Sequence, residues 1–316
     1  PATPAAPIPG AAPAAPASGM PYGAPVAPPM PGTPCGAPVA PAPGVPYGMP
    51  PAAPAPGHYA PGFRAAPAYA GAVPPPAEPY PAPGFLPVLE CQALTKAYGA
   101  TLALNQVALA VPRGRVVGLL GPNGSGKTTL IKLAAGLLHP TAGAVLVEGA
   151  VPGPATKARV SYLPERPYFS QNMKVTDCLA FFEDFYADFD RALACDMLAR
   201  LAVPMASHMG SLSKGTKEKV QLVLVMARHA ALYLLDEPIG GVDPATRDYI
   251  LDTIISSYRR DATILLSTHL IADVERVLDD FVFLQYGTMV MHAPASFVRD
   301  QYGMSLDDYF RGAFRC

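Results

Sequence analysis

An α/β fold built on a parallel sheet, behind a long proline-, alanine- and glycine-rich tail, is predicted by three observations. A glycine-rich loop, Gly121-Pro122-Asn123-Gly124-Ser125-Gly126-Lys127-Thr128-Thr129, lies between a short apolar run and a helical pattern. A second apolar run, from Ala231 to Leu235, ends in the adjacent carboxylates Asp236 and Glu237. Composition changes abruptly near residue 86, ahead of both.

Residues 1–86 hold 28 of the 40 prolines and only two charged residues, Arg64 and Glu78. Such a stretch cannot build a conventional packed core, so a disordered, partly polyproline tail is expected. GAPVAP occurs at Gly23 to Pro28 and again at Gly36 to Pro41, and tyrosines at 22, 47, 59, 69 and 80 punctuate the segment. A low-complexity tether and a docking segment for proline-recognising or self-associating modules both fit this pattern, and no particular partner can be read from it. The basic start and continuous apolar stretch of a secretory signal are missing.

Residues 87–316 have the apolar content and turn punctuation of one α/β domain with room for a helical insertion. No segment reaches the roughly 18 to 20 uninterrupted apolar residues that cross a bilayer. The longest candidate, Val220 to Leu235, is broken by Arg228 and His229, so any membrane part is expected in another chain. A formal net charge of −1 argues against a basic nucleic-acid surface, and no nucleic-acid partner is expected. Cysteines at 35, 91, 178, 195 and 316 form no C-x-x-C pair, which suits free thiols in a reducing compartment.

Val116 to Leu120 reads as a buried parallel strand, and Thr128 to Leu138 as a helix with Leu130, Ile131, Leu133, Ala134 and Leu137 on one face. Between them the pattern G-x-x-x-x-G-K-[ST] builds a cup of backbone N–H groups around a polyphosphate. The helix begins where its unpaired N–H groups and positive dipole end face the anion. Lys127 can reach the terminal phosphates, and the Thr128 hydroxyl is placed to hold a magnesium ion.

Asp236 and Glu237 end a strand, and alternation along it lets them take separate tasks. Asp236 fits as the magnesium partner, and Glu237 as the group that orients and polarises an attacking water. Phosphoryl transfer chiefly needs positioning and charge neutralisation, which a cradle, an ion and a carboxylate supply.

Four further segments carry a specific resemblance. Leu212-Ser213-Lys214-Gly215-Thr216 resembles the signature motif of ABC-type ATPases, whose usual form is L-S-G-G-Q. Leu266-Ser267-Thr268-His269 is similar to their switch-histidine motif, and Gly240-Gly241-Val242-Asp243 sits where they have the D-loop. Tyr98 stands in the place of the aromatic that stacks on adenine. The similarity runs in family order from Val88 to about Val290.

The resemblance implies a P-loop NTPase core with a helical subdomain, about 168–215, and an antiparallel β subdomain, the ATPase domain as a whole spanning 87–316. It also implies a homodimer or heterodimer of cassettes enclosing two Mg-ATP, the signature of each closing on the γ-phosphate held by the other. Ser213 and the Gly215 backbone, at the start of a helix from Thr216 to Ala230, would then act in trans, His269 would contact the γ-phosphate and the water, and Asp243 would communicate across the interface. Transmembrane permease chains are the implied partners, with the cassette cytoplasmic and peripheral on the inner face of the cell membrane.

Two departures stand out. Lys214 and Thr216 replace the usual glycine and glutamine of the signature. In Tyr162-Leu163-Pro164-Glu165, similar to the Q-loop, Glu165 replaces glutamine. Its carboxylate can ligate magnesium, but cannot donate a hydrogen bond to water unless protonated, and it adds negative charge beside Asp236 and Glu237.

Phe181, Phe182, Phe185 and Tyr186 form an aromatic stripe on a helix of the inserted part. The stripe can fill the small subdomain's core or, with Tyr168 and Phe169, line a groove for a helix of a membrane subunit. Phe281 to Val290 reads as the last strands around the turn Tyr286-Gly287-Thr288. Ser296 to Cys316 reads as a helical appendage with Phe297, Val298, Tyr302, Leu306 and Tyr309 as apolar contacts. Ser305 to Phe310 resembles the closing segment of cassettes serving export-type or multidrug-type permeases, and equally fits a docked helix.

The function expected is ATP hydrolysis coupled to membrane transport. The rival is a soluble member of the superfamily acting on ribosomes or DNA, whose relatives usually carry two joined cassettes or a long coiled-coil insertion. A scaffold in which the tail is the active feature is the third reading.

Overall fold

The computed structural model describes residues 86–240 and 243–313. The readings for the tail up to residue 85, for Gly241 and Val242, and for residues 314–316 lie outside them.

Strands β1 (Leu89–Tyr98) and β2 (Thr101–Val111) form an antiparallel hairpin, and β3 (Val116–Leu120) leads into helix α1 (Lys127–Ala134). Strand β4 (Ala142–Val147), the one-turn α2 (Pro154–Lys157) and β5 (Val160–Leu163) follow. Three helices come next: α3 (Val175–Phe185), α4 (Arg191–Arg200) and α5 (Lys214–Met226). Then β6 (Leu232–Asp236), α6 (Pro244–Ser257), β7 (Thr263–Thr268) and the short α7 (Ile271–Val274) lead to the hairpin of β8 (Asp280–Gln285) and β9 (Thr288–Pro294). Helices α8 (Ser296–Tyr302) and α9 (Leu306–Ala313) close the described chain.

Two sheets result: an antiparallel one in the order β2-β1-β4, and a six-stranded one in the order β5-β6-β7-β3-β8-β9, parallel except for β9. The mixed α/β class and the small antiparallel sheet expected from the sequence are both present. Strand β3 is buried along its length, and its side chains serve two cores alternately. Val117 and Leu119 pack with Leu130, Ile131 and the antiparallel sheet. Val116 and Leu120 pack with α5, α6 and the helices around Leu179 and Leu198.

Several boundaries differ from the sequence reading, each at a cap. Helix α1 stops at Ala134 because Gly136 turns left-handed (φ 67°). Gly136 N donates to Leu133 O and Leu137 N to Lys132 O, the paired bonds of a Schellman motif. Leu137 therefore leaves the apolar face assigned to it and is 54% exposed. Helix α5 starts at Lys214 rather than Thr216, because the Ser213 side chain caps it by accepting from Thr216 N. It ends at Met226 rather than Ala230, because Arg228 pairs with Phe189 as an isolated antiparallel bridge.

The expected turn at Tyr286 and Gly287 is a two-residue loop with both residues left-handed (φ 47° and 76°). Among the appendage contacts, Val298 and Leu306 are fully buried, and Phe297, Tyr302 and Tyr309 pack partly buried on the same core. The aromatic stripe divides: Phe182 is buried, while Phe181 and Phe185 are exposed. Cys91 and Cys178 are buried free thiols and Cys195 is a half-buried one. No helix among the described residues is long and apolar enough to cross a membrane.

Candidate functional site

Parallel pairing brings the carboxyl ends of β3, β7 and β6 side by side: Leu120 is opposite Thr268, and Ser267 is opposite Asp236. Chain that leaves such ends is where open α/β sheets bind ligands. The segments leaving them carry the phosphate loop, His269, and the pair Asp236 and Glu237.

The loop needs its glycines. At Gly121 (φ 155°) a Cβ would meet Leu284 O at 2.3 Å, and at Gly126 (φ 106°) it would meet Ala103 O at 2.6 Å. Only a residue without Cβ fits either place. The β8–β9 turn braces the loop, with Gly287 N donating to Ser125 O (3.1 Å) and Asn105 N donating to Gly287 O (2.8 Å). The first internal bond of α1 is Leu130 N to Gly126 O, so the N–H groups of Lys127, Thr128 and Thr129 precede it and face the loop's mouth.

Lys127 Nζ donates to Gly121 O (2.9 Å) and Pro122 O (3.2 Å), and lies 3.9 Å from Glu237 Oε1. Burial pushes the ammonium's pKa down, and Glu237 and then Asp236 act against that shift. The Ser125 hydroxyl is buried and has no partner.

Asp236 is buried at the end of β6. Its Oδ1 accepts from Ser267 Oγ (2.7 Å) and Thr128 Oγ1 (3.0 Å), and its Oδ2 is buried without a partner. Burial raises its pKa above the usual carboxylate value, opposed by the two hydroxyl donors. An orphan carboxylate oxygen beside a hydroxyl, with Glu165 on the same pocket, is a hard-oxygen donor set that fits magnesium. Among the described residues no three His, Cys, Asp or Glu side chains gather into a metal cage. Magnesium uses few protein ligands, keeping waters and taking phosphate oxygens instead.

Glu237 is turned away from Asp236 by its own backbone rather than by strand alternation, because β6 ends at Asp236 and Glu237 is left-handed (φ 50°). Such a conformation in a residue with a Cβ costs of order 1–3 kcal/mol. It is held by Glu237 N donating to Ser267 O and Ser267 Oγ, both at 3.1 Å. His269 Nδ1 lies 3.1 Å from each Glu237 carboxylate oxygen.

These groups surround a pocket of about 730 Å³, lined by Asn123 to Thr129, Glu165, Glu237 and His269. Tyr98, Gly121, Pro122, Ser213, Gly215, Asp236 and Asp243 are not on its wall. The Tyr98 ring ends β1 half-exposed, with Lys96 Nζ 5.3 Å from its centre. Asp243 caps α6, its Oδ1 accepting from Thr246 N (3.0 Å) and its Oδ2 from Thr246 Oγ1 (2.6 Å). Ser213 Oγ is likewise engaged, with Thr216 N at 3.2 Å and Thr216 Oγ1 at 2.8 Å.

Sequence reasoning missed Ala103, Arg166, Pro167 and Glu218 on the wall, and gave no site role to Gly240 or Lys214, which line the same pocket. Arg166 and Pro167 follow Glu165 directly, which was the available signal. The presence of Lys214 and Glu218 depends on how α5 packs and had none.

Residues 104–240 match the family described as ABC transporter. The ABC transporter ATP-binding protein YtrB of Bacillus subtilis (strain 168) is 30% identical over 218 residues, 68% of this chain and 75% of that one. This chain belongs to the ABC transporter ATP-binding proteins. Nod factor export ATP-binding protein I of Burkholderia orbicola (strain AU 1054) is 32% identical to the cassette over 224 residues, 68% of this chain and 74% of that one. The solved structure of an ATP-binding subunit of an ABC transporter superposes on the cassette with a TM-score of 0.64 at 34% identity, covering 71% of this chain and 98% of that one. A cassette solved in its ADP conformation shares the fold, with a TM-score of 0.57 at 22% identity over 68% of this chain and 96% of that one.

Proposed function

We propose that this chain is the ATP-binding and ATP-hydrolysing subunit of an ABC membrane transporter, in which two cassettes close around two Mg-ATP and drive separately encoded permease chains. One observation carries the reading: the phosphate loop, Glu237 and His269, far apart in sequence, converge on one pocket at the carboxyl ends of three adjacent strands, with Asp236 behind its wall on the Thr128 hydroxyl. The export relative and the closing segment Ser305 to Phe310 support the outward direction. The cassette then works on the cytoplasmic face, held there by the permease.

Loop N–H groups and Lys127 bind the β- and γ-phosphates and offset their charge. Thr128 and Asp236, with Glu165, would hold a magnesium ion, which would supply further charge neutralisation. Glu237 accepts a hydrogen bond from the attacking water and draws off its proton as the water oxygen bonds to the γ-phosphorus, the bond from that phosphorus to the bridging oxygen breaks and ADP leaves. His269 fixes the carboxylate that does so. Ser213, exposed, and Gly215, half-buried, lie at the start of α5 off this pocket and close on the γ-phosphate of a second cassette, and Asp243 and Tyr98 take the interface and adenine roles.

Isolation of the chain from detergent-solubilised membranes is expected to recover multispanning permease chains and Mg-dependent ATPase activity. Recovery with ribosomes or DNA and no membrane protein overturns the transporter reading in favour of the soluble alternative. Deleting residues 1–86 tests the scaffold reading, since turnover and transport are expected to persist without them.

A further inference from the structure

The end of strand β1 is clasped to the segment that follows α1. Thr141 N donates to Thr95 O (2.8 Å), Ala97 N donates to Thr141 Oγ1 (3.0 Å), and Lys96 Nζ donates to His139 O (2.9 Å). The first two bonds fix the backbone on either side of Lys96. The third fixes a side chain. Ordering a lysine stem costs rotamer entropy, and the carbonyl of an exposed residue such as His139 can bond water instead, so the backbone does not require it.

Lys96 and Tyr98 are two apart on the strand, which places their side chains on one side of it. The anchored ammonium stands over the Tyr98 ring, 5.3 Å from its centre and within the range of a cation–π contact. One face of the ring is thus occupied, and Tyr98 still exposes 47% of its surface. The same hairpin reaches the phosphate loop through its other strand. Tyr98 is opposite Thr101, and Ala103, two residues further on, is on the wall of the pocket. The Ala103 carbonyl closes on Gly126, where a Cβ would meet it at 2.6 Å. The hairpin end that carries Tyr98 is therefore joined to both ends of α1, to Gly126 before it and to His139 and Thr141 after it. A ring at that place keeps a fixed relation to the phosphate cradle only if its own orientation is held, and Lys96 holds it.

We propose that Lys96 is a positioning residue for the nucleotide base: its ammonium, anchored on His139 O, holds one face of the Tyr98 ring, so that the opposite face is presented to the adenine of the nucleotide whose phosphates lie in the loop. The proposal rests on the reading of Tyr98 as the adenine platform. An exposed cation–π contact is weak, so removal of the charge is expected to weaken base-dependent binding by about 2- to 5-fold.

The test measures the affinities of ADP and of inorganic pyrophosphate, both with magnesium, by displacement of the fluorescent analogue MANT-ATP from the full chain at concentrations where light scattering shows it monomeric. The two competitors share a diphosphate and differ by the nucleoside. Lys96→Met keeps an apolar stem and removes the charge; it is expected to weaken ADP by that factor and leave pyrophosphate unchanged. Lys96→Arg, whose guanidinium can also donate to a carbonyl and stack on a ring, keeps the wild-type affinity for ADP. Tyr98→Ala weakens ADP, and adding Lys96→Met to it costs nothing further, because the lysine acts through the ring. Unchanged ADP affinity in Lys96→Met overturns the proposal. So does an equal loss for ADP and pyrophosphate, or a further loss in the Tyr98→Ala background. Any of these, with ADP weakened in Tyr98→Ala, leaves the adenine reading standing. Wild-type ADP affinity in Tyr98→Ala overturns that reading, and the proposal with it.

Discussion

His269 Nδ1 is equidistant, at 3.1 Å, from the two carboxylate oxygens of Glu237. A bond to both requires the proton on Nδ1, so the histidine holds the carboxylate without consuming it as a base. Lys127 Nζ lies 3.9 Å from one of the same oxygens, which places the cation, the carboxylate and the imidazole in one line of contacts. Glu237→Gln is expected to preserve this shape while removing the water's proton acceptor, lowering kcat by about 10²- to 10⁴-fold with ATP binding retained. His269→Ala is expected to lower kcat while leaving MANT-ATP affinity near wild type. Steady-state kinetics beside equilibrium binding separates the two effects, and loss of binding in Glu237→Gln contradicts the assignment.

Asp236 offers one oxygen to two hydroxyl donors and keeps the other buried and unpartnered. Asp236→Asn keeps the volume but replaces an acceptor by an amide donor. The variant is expected to lose most of the tightening of ATP binding that magnesium confers, and to turn over about 10²-fold more slowly. Titration of MANT-ATP with magnesium and with EDTA checks it. An undiminished ratio between the two affinities counts against Asp236 as the metal partner.

How much of this site the sequence disclosed follows from the range of the interactions involved. The buried runs Val116 to Leu120 and Leu232 to Leu235 are legible because strands buried on both faces are continuously apolar. The loop between Gly121 and Thr129 is legible because its glycines and lysine answer local demands of backbone and charge. Helix ends were misplaced where one side chain or one left-handed residue decides, as with Ser213 and Gly136. The left-handed turn at Glu237 and the brace from Gly287 to Ser125 were invisible, since both depend on strands paired from distant parts of the chain. Lys214 was visible as an oddity, but its place on this chain's own pocket comes only from the packing of α5.

Arg228, which interrupts the longest apolar stretch of the sequence, is 2% exposed and fully engaged. Its guanidinium donates to Val160 O (2.6 Å) and Ala158 O (2.9 Å), pairs with Asp188 (2.9 Å) and stacks 3.8 Å from the centre of the Tyr186 ring. It joins the end of α5 to β5 and the turn after α3. Arg228→Ala leaves two carbonyls and a carboxylate without their donor, and is expected to cost about 3–5 kcal/mol in unfolding free energy. Arg228→Lys recovers only part of that, because an ammonium lacks the planar fork. Urea denaturation measures both, and a lysine variant as stable as wild type would show that charge alone suffices.

His292 lies on β9 opposite Val282, and burial pushes its pKa down to about 4 from an ordinary value of 6.5. The sign follows from proton counting. Between those two values the unfolded chain binds a proton at this residue and the folded chain does not, so stability falls as pH falls. Above pH 6.5 neither state is protonated and the contribution is constant. Below about pH 4 both are protonated, and the loss stops growing. His292→Leu removes this titration, so the difference in unfolding free energy between wild type and variant is expected to change across that window, with a slope of at most about 1.4 kcal/mol per pH unit. Urea melts at half-unit steps from pH 4 to 8 provide the profile. Parallel curves for the two proteins through the window would mean that His292 titrates alike in the folded and unfolded chain.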